Sequence, residues 1–359
     1  MVKEITKMQE INNKMPNVFD VAKRAGVSRG TVDRVIFGRG RVSPNTRDKV
    51  LKAISELNYT PNTNASKLAS RREYRLACLI PQFNKGDYWE AMYNGFIAAA
   101  KDYSSYSINL AIYNYDQMAV DSFLSESTKI LESKPTGVIM NAVFREEVMR
   151  FAYKLEQEGI PYAFVDNKID ELDYTLYYGV DPYKSGALGA YLLTNRMDVK
   201  EIALVRLQRD LRHKADPNRP RRHGFTDYIE DNYPDCRIHT IFIDPEDENS
   251  AFATLETFFQ AHPDIHHIAM TNSRVFLLGN YLRKHPDPIR KVIGFDDLDK
   301  NLACLKEGLI DTLVTRHIPM QAYNALNAFT DCIIRNQRPE HRNHFVHMDI
   351  LTQMNLDNY

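Results

Sequence analysis

Nowhere do the 359 residues string together 18 apolar side chains, so the sequence predicts no membrane-spanning helix. Cysteine is scarce. Cys78, Cys236, Cys304 and Cys332 lie far apart with no CxxC pair, which argues against a thiolate zinc clip and makes structural disulfides unnecessary. Residues 1–15 are polar and lack the apolar core of a secretory signal, so the expected setting is reducing and cytoplasmic. The chain has no Walker-type phosphate loop, GxGxxG fingerprint, GxSxG elbow or HExxH helix. Neither a catalytic residue nor a cofactor is therefore expected. His341, His344 and His347 lead into Phe345–Ile350, which reads as a strand. Their spacing of three turns them to different faces, so no metal site is expected there, nor at His266 and His267. Internal repeats and low-complexity segments are also missing.

Charge is present but unevenly placed. From Pro16 to Arg72 there are 12 Lys or Arg against 4 Asp or Glu, a net of +8, and residues 1–15 add +1. The other 287 residues therefore carry −10 of the total of −1. A small basic head before a large acidic body points to a polyanionic partner for the head alone.

Within the head, Val18, Val21, Ala22 and Ala25 share one face of a short helix that Gly26 is placed to end. Ser28 can cap a second helix, with Val32, Val35 and Ile36 inward and Gly38 and Gly40 as its breakers. Ser43-Pro44 starts a third, with Thr46, Val50, Ile54 and Leu57 as its apolar stripe. Two short helices across a Gly-Val-Ser turn, braced by a third, make a helix-turn-helix. The second would enter the major groove, with Arg29, Gly30, Thr31, Asp33 and Arg34 outward. Each arginine can donate two bonds to a guanine edge. Thr31 suits a phosphate or a thymine methyl, and Asp33 either accepts from cytosine or holds Arg34.

The run Val18–Val35 (VFDVAKRAGVSRGTVDRV), followed by Val42–Arg47 (VSPNTR) and Leu57–Asn62 (LNYTPN), resembles the head of the LacI/GalR family of bacterial repressors in order and spacing. Two positions depart from it: Asp33 stands where serine is common, and Gly30 replaces a longer base-reading residue. The operator sequence therefore cannot be copied from a relative. The resemblance implies a hinge over residues 61–72 that becomes helical on a near-palindromic operator, paired with a second copy in the minor groove. Leu68 would be the wedge between base pairs, with Asn62, Ala65 and Lys67 beside it. It implies a homodimer and a small-molecule effector, a sugar or sugar derivative.

Beyond residue 72, strand-like runs (Leu76–Ile80, Asn109–Tyr113, Gly137–Met140, Tyr162–Val165, Ile202–Leu207, Ile238–Ile243, His267–Met270, Val292–Phe295) alternate with amphipathic stretches. That alternation predicts parallel sheets covered by helices, and the length predicts two lobes. The expected architecture is an all-α head over 16–60, a hinge, and a two-lobed α/β domain over 73–359. The body resembles the periplasmic sugar-binding fold that the LacI/GalR family uses.

Ligands of open parallel sheets sit beyond the strands' carboxyl ends. After the first strand come Asp87, Tyr88 and Trp89, where the resemblance places aromatics that stack on a sugar ring, and it assigns Asp166 and Asn167 to the ring's hydroxyls. It assigns Arg219 to ring and hydroxyl oxygens, and Asp296 to a hydroxyl pair. Asn272 ends another strand, and His317 lies near a polar contact position that Arg316 or Ile318 could fill instead. Asp181, before Pro182, reads as a helix cap. Two rival functions are weaker. A solute-binding transport protein would need an export signal and no DNA-reading head, and a sugar-modifying enzyme would need a nucleophile, metal or cofactor motif.

Overall fold

The structure is a computed structural model. It describes residues 18–28, 31, 32, 35, 42–57, 73–103, 108–195, 197–208, 218–287 and 289–359. The chain divides into two compact units, Met1–Arg72 and Glu73–Tyr359.

In the first unit, helix α1 (Val18–Ala25) ends where Gly26 takes φ +64°, a left-handed turn that glycine adopts without a Cβ penalty. The Ser28 hydroxyl accepts from the Thr31 amide at 3.3 Å, which starts the second helical segment. Helix α2 (Pro44–Glu56) opens on Ser43, whose side chain accepts from the Thr46 amide, with Pro44 in the first turn. Val21, Ala22, Val32, Val35, Val50 and Ala53 are buried together, with Ile54 and Leu57 packed against them. Residues of all three expected stripes thus share one core, to which Ala53 is added, while Ile36 lies outside the described residues. Arg29, Gly30, Asp33, Arg34, Asn62, Ala65, Lys67 and Leu68 lie outside the described residues.

The second unit has two six-stranded sheets among the described residues, joined by three crossovers. Sheet one contains β1 (Tyr74–Pro81), β2 (Ile108–Tyr115), β3 (Gly137–Met140), β4 (Tyr162–Val165), β5 (Tyr177–Gly179) and β11 (Asn343–Phe345), in the order β11-β5-β4-β3-β1-β2. Sheet two contains β6 (Glu201–Leu207), β7 (Arg237–Ile243), β8 (His267–Met270), β9 (Lys291–Phe295), β10 (Thr312–Thr315) and β12 (Asp349–Leu351), in the order β12-β10-β9-β8-β6-β7. Every described pairing is parallel except that of β10 with β12.

Period-two alternation places a core on each face of each sheet. On sheet one, Ala77 and Leu79 pack with Phe123 and Phe164, while Leu76, Cys78 and Ile80 pack with Met92, Phe96 and Phe329. On sheet two, Val205 and Leu207 pack with Leu255 and Leu278, while Ile202 and Leu204 pack with Phe225 and Phe295. Covering both faces suits the central strands β1, β3, β4, β8 and β9, which are buried along nearly their whole length.

Helices α3 (Tyr88–Asp102), α4 (Val120–Ser133), α5 (Arg145–Gln157) and α11 (Ile318–Arg335) belong to lobe one. Helices α6 (Pro182–Thr194), α7 (Arg219–Asn232), α8 (Glu248–Ala261), α9 (Phe276–Lys284) and α10 (Asp299–Lys306) belong to lobe two. The crossovers run from β5 to α6, from β10 to α11 and from β11 to β12. The expected single strand over Phe345–Ile350 is therefore a correction. It is two short strands in different sheets, and residues 346–348 carry the chain between lobes.

Candidate functional site

The two lobes end their fourth strands in the same way. After β4, Asp166 takes φ +67°, and its amide donates to Tyr178 O at 3.0 Å. After β9, Asp296 takes φ +70°, and its amide donates to Val314 O at 3.0 Å. Aspartate tolerates the left-handed region better than most residues, and the turn aims each carboxylate off the strand's carboxyl end. Both are buried, Asp296 completely.

Between them stands Arg316, the first residue after β10 and part of the second crossover. Its Nε and one terminal nitrogen donate to the two oxygens of Asp296 at 2.7 and 3.2 Å. Its other terminal nitrogen donates to Asp166 Oδ1 at 2.5 Å. The Tyr88 hydroxyl donates to the same oxygen at 2.7 Å, and the Arg316 guanidinium lies 4.6 Å from the Tyr88 ring centroid. Burial works against the guanidinium's charge, but Asp296, Tyr88 and Asp166 more than restore it, so Arg316 stays cationic. Gln321, wholly buried, holds the Arg316 carbonyl through its Nε2 at 2.6 Å.

A second buried arginine, Arg221 on α7, is only 3% exposed. It donates to Thr271 O at 3.0 Å and lies 4.7 Å from the Phe295 ring centroid. Its Nε has no hydrogen-bond partner among the described residues. Burial first, then repulsion from Arg316, pulls it down to about 10. On the other lobe, Asn141 at the end of β3 accepts from the Tyr115 hydroxyl at 2.8 Å, while its Nδ2 is buried without a partner among the described residues. Two orphaned donors near two carboxylates are costly in a dry interior, and each suits an oxygen supplied from outside the chain.

Asn301 holds the Asp296 turn in place. Its Nδ2 donates to the carbonyls of Ser273, Phe295 and Asp296 at 3.0–3.1 Å, and its Oδ1 accepts from the Phe276 amide. Nearby, a cleft of about 520 Å³ is lined by Gln82, Phe83 and Asp87 from lobe one and by Gln208, Asp244 and Arg274 from lobe two.

Of the residues expected from sequence, Tyr88, Asp166 and Asp296 meet in one cluster. Asp87 reaches the cleft and accepts from the Asn84 amide. Trp89 is 9% exposed and packed in the lobe-one core, edge-on to Tyr88 at 5.0 Å between centroids, and does not line the cleft. The half-buried aromatic that lines the cleft is Phe83. Asn167 is half-buried beside Asp166, outside the bonded cluster. Asn272 is buried and accepts from the Arg274 amide. Arg219 is exposed at the start of α7 with its Nε toward His223, and Arg221, two residues on, is the arginine that turns inward. His317 points to Asp349 at the start of β12 at 2.7 Å, while its neighbour Arg316 enters the cluster. Asp181 caps α6 by accepting from the Lys184 amide.

Among the described residues no cluster of metal-ligating side chains occurs, and no helix is long and apolar enough to cross a membrane.

Residues 17–62 match the family model for bacterial regulatory proteins, lacI family, and residues 77–334 match that for a periplasmic binding protein domain. The HTH-type transcriptional regulator DegA of Bacillus subtilis is 30% identical over 149 residues, covering 41% of this chain and 43% of that protein. Catabolite control protein A of Staphylococcus epidermidis is 40% identical over 158 residues, covering 43% and 46%. The matched part spans less than half the length of each of these relatives. A solved structure from Bacteroides fragilis, described as a LacI transcriptional regulator, superposes with a TM-score of 0.75 at 28% identity, covering 80% of this chain and 100% of that one. GanP of Geobacillus stearothermophilus, a glucose-galactose binding protein, superposes with a TM-score of 0.68 at 20% identity, covering 80% and 99%, which shows a shared fold.

Proposed function

We propose, for a chain that belongs to the lacI family of bacterial regulatory proteins and joins that head to a periplasmic binding protein domain, that it is a sugar-responsive transcriptional repressor. The head binds a near-palindromic operator as part of a homodimer, and the body binds a sugar or sugar derivative between its lobes. The observation that carries the sugar reading is the pairing of Asp166 and Asp296 at the strand ends of opposite lobes, with the orphaned donors of Arg221 and Asn141. Carboxylates accept from sugar hydroxyls, and guanidinium and amide groups donate to sugar oxygens, so one small polyol satisfies both sets. Arg221 takes the part that the sequence assigned to Arg219, because it is the buried one. Tyr88 and Phe83 are the aromatic surfaces, and Trp89 supports Tyr88 from behind.

The head reads DNA through the segment that Ser28 caps, and the groove contacts of Arg29, Thr31 and Arg34 and the hinge wedge at Leu68 are those that the family resemblance implies. No enzymatic step is assigned.

The test has two arms. A mobility-shift assay on DNA upstream of the chain's own gene and its neighbours should show binding that random DNA of equal length does not. A melting screen against D-glucose, D-galactose, D-arabinose, D-tagatose and D-allose should find a stabilising sugar, since ligand at 100 times its Kd adds about 2.7 kcal/mol. That sugar should change operator affinity. Equal affinity for operator and random DNA refutes the regulator, and a sugar that binds without altering operator affinity refutes the coupling.

A further inference from the structure

A cleft between two lobes ordinarily closes when a bound molecule gives each lobe a partner. Here the chain supplies that partner itself. Arg316 belongs to lobe two by its place after β10 and by its two bonds to Asp296. Its third bond and its ring contact reach Asp166 and Tyr88, both in lobe one. One guanidinium thus spans the gap that the proposed sugar would span, and uses the same two carboxylates.

The placement is not loose. Gln321 fixes the backbone carbonyl of Arg316, and the next residue, His317, takes φ +49° and bonds Asp349, the first residue of β12. Tyr359 stacks near His317 and donates to Asp297, the neighbour of Asp296. The crossover that carries Arg316 is therefore held from three sides. Opening the lobes would break the Arg316–Asp166 bond while returning both charges to water, so the tie is worth the excess of that well-aligned bond over the hydration it displaces. A ligand moves such an equilibrium only by its differential affinity for the two states.

We propose that Arg316 is a built-in latch: it ties Asp166 to Asp296 and holds the lobes shut in the effector-free chain, and the effector enters by taking Asp166 over from it. The proposal rests on the sugar site described above, but its first test needs no sugar. Small-angle X-ray scattering of the full chain gives the radius of gyration of the wild type, Arg316→Gln and Asp166→Asn. Asp166→Asn is nearly isosteric, keeps an acceptor for the Tyr88 hydroxyl and leaves the Arg316–Asp296 pair whole, so the measurement survives if Arg316→Gln fails to fold. Both variants should be more expanded than the wild type, and 0.5 M NaCl should shift the wild type less than either substitution does. Equal radii in all three chains overturn the latch.

The second test is calorimetry with whichever of D-glucose, D-galactose, D-arabinose, D-tagatose or D-allose binds the wild type. Relief of competition should make Arg316→Gln bind that sugar several-fold more tightly. Weaker binding overturns the displacement, since Arg316 would then be a contact for the sugar and not its rival. If none of the five binds, the sugar reading fails by itself, and scattering still decides the latch.

Discussion

Replacing Asn301 with alanine isolates the part that fixes the Asp296 turn. Asn301 is completely buried: the two hydrogens of its Nδ2 are shared among the carbonyls of Ser273, Phe295 and Asp296, and its Oδ1 accepts from the Phe276 amide, which begins α9 and has no partner within that helix. Two donor hydrogens and one accepting oxygen make about three bonds, and at about 0.5–1.5 kcal/mol net for each they are worth about 1.5–4.5 kcal/mol together. The carbonyls of Phe295 and Asp296 belong to the strand end that aims the carboxylate, so the loss also frees that turn. Asn301→Ala should therefore lower stability by about 3 kcal/mol, read as the shift in the urea midpoint at constant m. Asn301→Asp keeps the shape and the acceptor for Phe276 but turns an acceptor toward three carbonyls, so it should cost at least as much. A loss under about 0.5 kcal/mol in both variants would refute the reasoning, because it lies below the worth of even one such bond.

Three further outcomes follow from other parts of the molecule. A Cβ at Gly224 would sit well inside contact distance of the Tyr183 carbonyl oxygen where α7 crosses α6, so Gly224→Ala should cost about 1–3 kcal/mol or more, and calorimetry should show weaker ligand binding because α7 carries Arg221. In the head, Ser28→Ala removes the cap on the Thr31 amide and should cost about 1 kcal/mol in the head's melting transition; an unchanged transition would place the cap elsewhere. Burial, then Lys291 and His266, hold the His267 imidazole below its ordinary range, so the folded state favours the neutral ring. Stability is then present above the unfolded histidine's titration and falls as pH drops through the lowered folded one. His267→Gln should flatten the loss between pH 7 and pH 5 in urea melts.

The strands that sequence showed best are those whose apolar runs are long enough to exclude other readings. β3, β4 and β8 fall at the expected residues, and β1, β2, β6, β7 and β9 extend by one to a few residues. β5 and β10 were not visible, because three or four residues of mixed character, Tyr-Tyr-Gly and Thr-Leu-Val-Thr, carry no period. With β10 unmarked by any period, nothing in the sequence puts Arg316 at a strand's carboxyl end or sets it apart from His317 beside it. The helix from Arg219 to Asn232 is equally unmarked, because its opening run of Arg, Pro and His carries no apolar stripe. Read as a helix, it would have put Arg221 near the face of Phe225 and Ile229 and left Arg219 outside. Asn301 gave no signal at all: its role depends on three carbonyls that the fold brings together. Asp166 and Asp296 were legible because each directly follows an apolar strand.

The crossovers also set the order in which the protein can be made. Lobe one begins at Tyr74, yet the face of its sheet formed by Leu76, Cys78 and Ile80 is covered in part by Ala322, Ala325 and Phe329 of α11. Those residues leave the ribosome only after the whole main body of lobe two, from Pro182 to Thr315, has been synthesised. At about 5–20 residues per second the wait is roughly 7 to 30 s, with apolar strands half bare throughout. Lobe two meets the same delay in miniature, since its edge strand β12 arrives last of the strands. Each lobe is thus finished by residues from the far end of the chain, and a nascent chain stopped before Ile318 carries an unfinished first lobe that chaperones would have to shield.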